Sequence, residues 1–151
     1  MKVLYAGSFD PFTIGHKAIA QTAVNMFGEL VIGVGFNESK NGEWPVEIRV
    51  KAIRELFRDF PDVEVLAYSG LTAVFAKKIG ASALIRGLRN SLDFEKEKEL
   101  ADINFSLTGI QTVFIPSSPQ FSFISSSMVR ELLHNGYDAS KYIAGNFPVR
   151  I

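Results

Sequence analysis

The chain has 151 residues, 47% of them hydrophobic, and sixteen basic side chains balance sixteen acidic ones to a formal net charge of zero. That length and apolar content suit one domain with one buried core and exclude a disordered chain, while balanced charge argues against a general nucleic-acid binder, which carries a basic excess. Cysteine is absent, which excludes disulfides, thiolate zinc sites and cysteine nucleophiles.

In chain order, residues 3–6 read as a first buried strand. Residues 16–27 read as a helix, because Ile19, Ala20, Ala23, Val24 and Phe27 share one face at helical spacing. Residues 29–36 (ELVIGVGF) form a second strand, and 46–60 a helix with Val50, Ile53, Leu56, Phe57 and Phe60 as its apolar stripe. A third strand spans 63–68, followed by a helix over 71–79 ended by Gly80. Residues 82–86 form the fourth strand, and a long charged helix over 91–107 has Asn90 as its cap. A fifth strand at 111–115 precedes a last helix over 126–134, with Gly136 at its C-cap. No internal repeat, low-complexity tract or linker interrupts the pattern, so residues 1–151 are expected to be a single domain. Strands alternating with helices imply an α/β fold, a doubly wound five-stranded parallel sheet with helices on both faces. No apolar stretch reaches membrane-spanning length and no leader-like run follows Met1-Lys2, so a soluble, cytoplasmic protein with no membrane contact is expected.

In such sheets ligands sit beyond the carboxyl ends of the strands, near the point where strand order reverses. The loops there begin at Gly7, Asn37, Ser69, Gly87 and Pro116. The first reads Gly7-Ser8-Phe9-Asp10-Pro11-Phe12-Thr13-Ile14-Gly15-His16: Thr13 caps the following helix, whose free N–H groups and positive dipole end favour phosphate, and His16 stands in the first turn facing it. The fourth loop carries Arg86 and Arg89, whose planar forks suit phosphate; surface pairing with Asp93 or Glu97 is the weaker alternative. The fifth ends in Ser125-Ser126-Ser127 at the start of the last helix, a run of hydroxyl and backbone donors for a polyphosphate, and Lys40 closes the second loop. Together these describe a pocket for a polyanion. No G-x-G-x-x-G, P-loop or G-x-S-x-G occurs, which disfavours a nicotinamide dinucleotide site, a P-loop ATPase and a serine hydrolase. His134, near a helix C-terminus, is given a structural role.

Gly7-Ser8-Phe9-Asp10-Pro11 with Thr13-Ile14-Gly15-His16 resembles the signature of the nucleotidyltransferase superfamily with the T/H-x-G-H motif. Ile85-Arg86-Gly87-Leu88-Arg89 with Asp93-Phe94-Glu95, and Phe123-Ile124-Ser125-Ser126-Ser127, resemble more narrowly the phosphopantetheine adenylyltransferases, which act in coenzyme A synthesis. The resemblance runs to about His134. It implies the reaction of ATP with 4′-phosphopantetheine to give dephospho-coenzyme A and pyrophosphate, with Mg²⁺ held mainly by the ATP phosphates and no metal held by side chains. By position it implies that Ser8, Lys40, Thr72 and Arg86 contact the pantetheine substrate. It implies ATP contacts from Ser8, Phe9, His16, Gly87, Leu88, Arg89, Glu97, Phe121, Ser122, Phe123, Ile124, Ser125, Ser126 and Ser127. His16, Lys40 and Arg89 become the catalytic set. It also implies a homohexamer and feedback inhibition by coenzyme A. Departures from the family pattern are Ser8 in place of threonine, Lys96 in place of an aromatic residue, Asn41-Gly42 after Lys40, Thr72 in place of an apolar residue, and a short tail after Gly136.

The acceptor is already a phosphate anion, so the protein's work is to align two anions and offset their charge. The rival readings are another small-molecule nucleotidyltransferase, such as one acting on nicotinamide mononucleotide, and a non-catalytic nucleotide-binding module.

Overall fold

Five strands, β1 (Lys2–Gly7), β2 (Glu29–Gly35), β3 (Val63–Tyr68), β4 (Ala83–Leu88) and β5 (Gln111–Pro116), pair in parallel in the order β3-β2-β1-β4-β5. The computed structural model describes residues 1–149. Helices α1 (Ile14–Phe27), α2 (Val46–Leu56), α3 (Thr72–Lys78), α4 (Ser91–Thr108) and α5 (Ser126–His134) connect or follow the strands, with 3₁₀ turns at Pro119–Phe121 and Ser140–Tyr142.

The central strand β1 is buried on both faces from Val3 to Ala6, as a strand covered by helices on each side must be. Its odd residues Val3 and Tyr5 join Ile19, Ala20 and Ala23 of α1 and Val50 and Ile53 of α2 in the larger core. Its even residues Leu4 and Ala6 meet Ala76 of α3 in the smaller one. Burying an aliphatic or aromatic side chain as completely as Ile53 or Phe12 stabilises the fold by about 1.5–3 kcal/mol. The chain winds outward from β1 to β3, then crosses to β4 on the other side of β1. The reversal therefore falls between β1 and β4, and the carboxyl ends of those two strands frame the site.

The expected fold class is the one observed, with shifted boundaries. The helix expected to reach residue 60 ends at Leu56, because Pro61 bars helical conformation just before it; Phe60 closes a turn onto Phe57 instead. The fourth strand runs on to Leu88, since Gly87 and Leu88 pair with Ile115 and Pro116 of β5. Gly87 and Leu88 thus belong to the strand, not to the loop after it.

Candidate active site

The first loop is held from below before it can hold anything. A Cβ at Gly7 would stand 3.0 Å from the Phe9 ring, which folds back beneath the strand end. Arg49 of α2 donates to the Ser8 carbonyl, Arg130 of α5 to the Asp10 carbonyl at 2.7 Å, and Ser126 Oγ to the Pro11 carbonyl at 2.8 Å. The C-terminal tail completes the support where Ala144 N–H donates to the Phe12 carbonyl.

Thr13 opens α1 as a capping box in which histidine replaces the usual Glu or Gln. The His16 N–H donates to Thr13 Oγ1 at 3.2 Å, and the Thr13 N–H donates back to His16 Nδ1 at 3.0 Å. A backbone N–H can only donate, so Nδ1 is the acceptor and the ring proton resides on Nε2. Nε2 has no partner among the described residues and is left for a ligand. Phe9 and Phe12 wall the ring, with centroids 5.0 and 5.4 Å away. Desolvation, reinforced by the charges of Arg86 and Arg89, pushes the His16 pKa down to about 3. At neutral pH His16 is therefore a neutral hydrogen-bond donor.

Around it lies a cleft of about 230 Å³ at the ends of β1 and β4. Of the residues singled out from sequence, Ser8, Phe9, His16, Arg86, Gly87, Arg89, Glu97, Phe121, Ile124, Ser125 and Ser126 line it. Both arginines carry a carboxylate partner, the pairing that the sequence reading had ranked second. Arg86 grips Glu97 with two bonds of 2.7 Å and also donates to the Ala6 carbonyl at 2.6 Å. Burial works against its charge, but the hydrogen bonds and charge of Glu97 outweigh that and its pKa is raised. Arg89 reaches Asp93 at 3.1 and 3.3 Å, one helical turn into α4.

The serine run is used differently from the expectation. Ser125 Oγ accepts the Met128 N–H as the N-cap of α5, Ser126 Oγ holds the first loop, and Ser127 Oγ pairs with Ser125 Oγ at 3.2 Å. Ser126 donates its proton to Pro11 and one of the Ser125–Ser127 pair donates to the other, so one hydroxyl of that pair and the free N–H groups of the first turn of α5 are left to meet an anion at this corner.

Six residues lie elsewhere. Lys40 is exposed in the turn after β2 and does not line the cleft. Leu88, Ser122, Phe123 and Ser127 are also outside it; Phe123 is 59% exposed and packs edge-on against Tyr142. Thr72 accepts or donates a 2.8 Å bond with Tyr68 and lines an adjoining cavity of about 270 Å³. Arg86 and Glu97 line both cavities and form the partition between them. The second is largely apolar, walled by Leu71, Leu100, Ile103 and Leu107, with Asn104 and Thr112 as polar points. Thr112 Oγ1 is the buried side-chain polar atom without a hydrogen-bond partner among the described residues.

Tyr5 also lines the cleft and was missed from sequence, and Asp93, read there only as a pairing partner and motif residue, lines it too. Tyr5 was legible in principle, because strand alternation points it to the same face as Val3. Burial raises its phenol pKa well above the ordinary range, so it stays protonated as a donor. Among the described residues no group of three or more His, Cys, Asp or Glu is arranged to hold a metal ion. No helix among them is long and apolar enough to cross a membrane.

Residues 4–132 match the cytidylyltransferase-like family. The phosphopantetheine adenylyltransferase of Bacteroides thetaiotaomicron is 42% identical over 142 residues, 94% of each chain. That of Lachnoclostridium phytofermentans is 46% identical over 145 residues, 95% of this chain and 89% of that one. Among solved structures, a bifunctional NMN adenylyltransferase/ADP ribose pyrophosphatase from Francisella tularensis superposes with a TM-score of 0.72 at 14% identity, over 97% of this chain and 46% of that one. A NadR protein in complex with NAD and AMP-PNP gives a TM-score of 0.63 at 15% identity, over 95% and 44%. This chain spans about half the length of those two structures, and at such identity they speak for the fold alone. The chain belongs to the cytidylyltransferase-like family and, within it, to the phosphopantetheine adenylyltransferases.

Proposed function

We propose that the chain transfers AMP from ATP to 4′-phosphopantetheine, giving dephospho-coenzyme A and pyrophosphate. One observation carries the reading: His16 is locked by the Thr13 N–H into the tautomer that presents Nε2–H, and it does so in the cleft that Arg86, Arg89 and the start of α5 surround.

In the reaction a phosphate oxygen of the acceptor bonds to the α-phosphorus of ATP, and the bond from that phosphorus to the bridging oxygen of the β-phosphate breaks. Pyrophosphate leaves with the electron pair. The acceptor arrives as an anion, so no general base is required, and the protein's contribution is alignment and charge compensation. His16 Nε2–H donates to an α-phosphate oxygen as charge builds there. Being neutral beforehand, it need not be stripped of a counter-ion. Arg89, and the free N–H groups opening α5, meet the departing phosphates. Arg86 lies where the cleft meets the apolar cavity and takes the acceptor's phosphate, with the acceptor's arm running past Thr72 and Asn104. Ser8, whose hydroxyl has no protein partner among the described residues, contacts the same phosphate, and Lys40 reaches it from the second loop.

The cleft's carboxylates, Asp93 and Glu97, are both engaged by arginine. That donor set fits Mg²⁺ carried in on the ATP phosphates rather than held by side chains. So carried, the cation offsets phosphate charge.

The chain works as one domain, in the cytoplasm where ATP is available, and assembles with copies of itself, as a homohexamer in the family's manner. Support for assembly comes from α4, which buries no side chain fully and leaves Leu92, Phe94, Leu100, Ile103, Phe105 and Leu107 exposed beside Leu71 and Val74 at α3. Coenzyme A, which shares the acceptor's arm and an adenylate end, competes for the same cleft as a feedback inhibitor. The deciding experiment is pyrophosphate release with ATP and 4′-phosphopantetheine, with nicotinamide mononucleotide as the competing acceptor. Turnover with the latter alone, or ATP binding without pyrophosphate release, would refute the assignment.

A further inference from the structure

Asp10 belongs to the first-loop motif, yet it does not line the cleft. The residue is 8% exposed, and its carboxylate turns toward the neighbouring loop, where Oδ2 accepts the Glu43 N–H at 2.8 Å and Oδ1 the Trp44 N–H at 2.9 Å. Two successive backbone donors on one carboxylate make a charge-assisted grip. It also demands close approach. Gly42 has φ +65°, and a Cβ there would stand 2.6 Å from Asp10 Oδ2, so a side chain at this position would both strain the backbone and push the carboxylate away.

Arg49 braces the grip from beneath. Its Nε lies 4.0 Å from Asp10 Oδ1 and donates to the Trp44 carbonyl at 2.9 Å, while Nη1 donates to the carbonyls of Ser8 and, at 3.0 Å, Gly35. One buried guanidinium thus joins the first loop, the end of β2 and the segment entering α2. That segment is anchored again where Trp44 Nε1 donates to the Pro148 carbonyl at 2.7 Å and where Glu43 meets His134 at 2.8 Å. The exposed turn just before it has little of its own to hold it: Ser39 bonds to the Asn37 side chain, and Lys40 N–H to the Asn37 carbonyl. Lys40 is two residues from the glycine that lets the loop close. Its delivery to a ligand is governed by where residues 42–44 are fixed.

We propose that Asp10 is a positioning residue: by gripping the N–H groups of Glu43 and Trp44, with Gly42 permitting the approach and Arg49 bracing it, it sets where Lys40 meets the acceptor. This rests on the reading of Lys40 as an acceptor contact.

The test uses the full chain, with pyrophosphate release followed while ATP and 4′-phosphopantetheine are varied separately. Lys40→Ala, Asp10→Asn and Gly42→Ala are each made alone, and the latter two again in the Lys40→Ala background. Gly42→Ala keeps every cleft residue and Asp10 itself, so it carries the test should Asp10→Asn fail to fold. Asp10→Asn and Gly42→Ala are expected to raise the acceptor KM about tenfold, as loss of a hydrogen bond to a charged group does, with the ATP KM changed less than about twofold. In the Lys40→Ala background the same changes add less than about twofold, because they act through the residue already removed. Fully additive effects, or a parallel rise in both KM values alongside a fall in melting temperature, overturn the proposal and leave Lys40 as a contact. An unchanged acceptor KM in Lys40→Ala overturns the contact and the proposal together.

Discussion

The Thr13 N–H and His16 Nδ1 are 3.0 Å apart, and this one bond fixes both the start of α1 and the tautomer of the imidazole in the cleft. A structural cap and the proposed donor to the α-phosphate are the same side chain. His16→Gln separates the two roles, since glutamine is a normal capping-box partner at this helix position but offers no imidazole donor. Its melting temperature should stay near that of the parent while kcat for pyrophosphate release falls on the order of a hundredfold or more, the usual cost of losing a donor aimed at developing charge. Turnover near the parent's, with the fold intact, would remove His16 from the chemistry.

Because burial and the two arginines hold the His16 pKa down to about 3, its charge should not change across the physiological range. Between its folded value and the ordinary imidazole value of 6.5 the unfolded chain binds the proton and the folded chain does not, so stability rises with pH in that window. It is fully present above about pH 6.5 and is lost progressively as pH falls toward 3, the loss by pH 5 being at most about 2 kcal/mol. Denaturant unfolding at pH 7.5 and pH 5 should show His16→Gln losing less stability than the parent between the two. Only two histidines are present, so an NMR titration can follow the His16 ring directly, and a shift through pH 6–7 would contradict the neutral-donor role.

Arg86 and Glu97 form the partition between the polar cleft and the apolar cavity, with Glu97 more enclosed than Arg86 at 14% against 36% side-chain exposure. Glu97→Gln removes the charge and one of the paired acceptors, leaving Arg86 held by the Ala6 carbonyl and a single amide oxygen. The variant should lose about 1–3 kcal/mol of stability, the scale for a partly buried charge-assisted bond, read from chemical unfolding at neutral pH. Its acceptor KM should change more than its ATP KM, because Arg86 is the acceptor's ligand in the proposed reaction. Equal changes in both would place Glu97 on the nucleotide instead.

Much of this was readable before any coordinates. Alternating apolar strands and striped helices located all five strands, and the rule that ligands sit beyond strand carboxyl ends directed attention to the loops after β1, β2, β4 and β5. What escaped has a common physical character. Arg49 was passed over because a charged residue in a helix reads as solvent-facing, yet it is three residues after Val46 and four before Ile53, on the buried stripe of α2. That placement was the available signal. Asp10 is legible only as a member of the first-loop motif, because its partners are backbone N–H groups 33 and 34 residues away, which no side-chain pattern reveals. The serines were legible as donors, but not that Ser126 spends its hydroxyl on Pro11, a contact between segments 115 residues apart. Lys40 was grouped with the cleft because it follows a strand on the correct edge; the turn from Asn37 to Lys40 leaves it outside.

The last expectation concerns α4. A helix of 18 residues that buries none of them fully draws little from the core of its own chain, and the six exposed apolar side chains it carries need cover. In the assembly proposed above, a neighbouring copy of the chain supplies that cover. Val74→Asp, at an α3 residue 57% exposed, and Phe105→Asp, at an α4 residue 47% exposed, place a charge on this surface without touching either cavity. Burying an unpaired carboxylate in an interface costs several kcal/mol, so sedimentation velocity should show each variant at a smaller mass than the parent. The monomer so produced keeps its sheet and its cleft, and circular dichroism should confirm the retained fold. A parent that sediments as a monomer, or variants that assemble as the parent does, would show that α4 is covered by something other than its own kind.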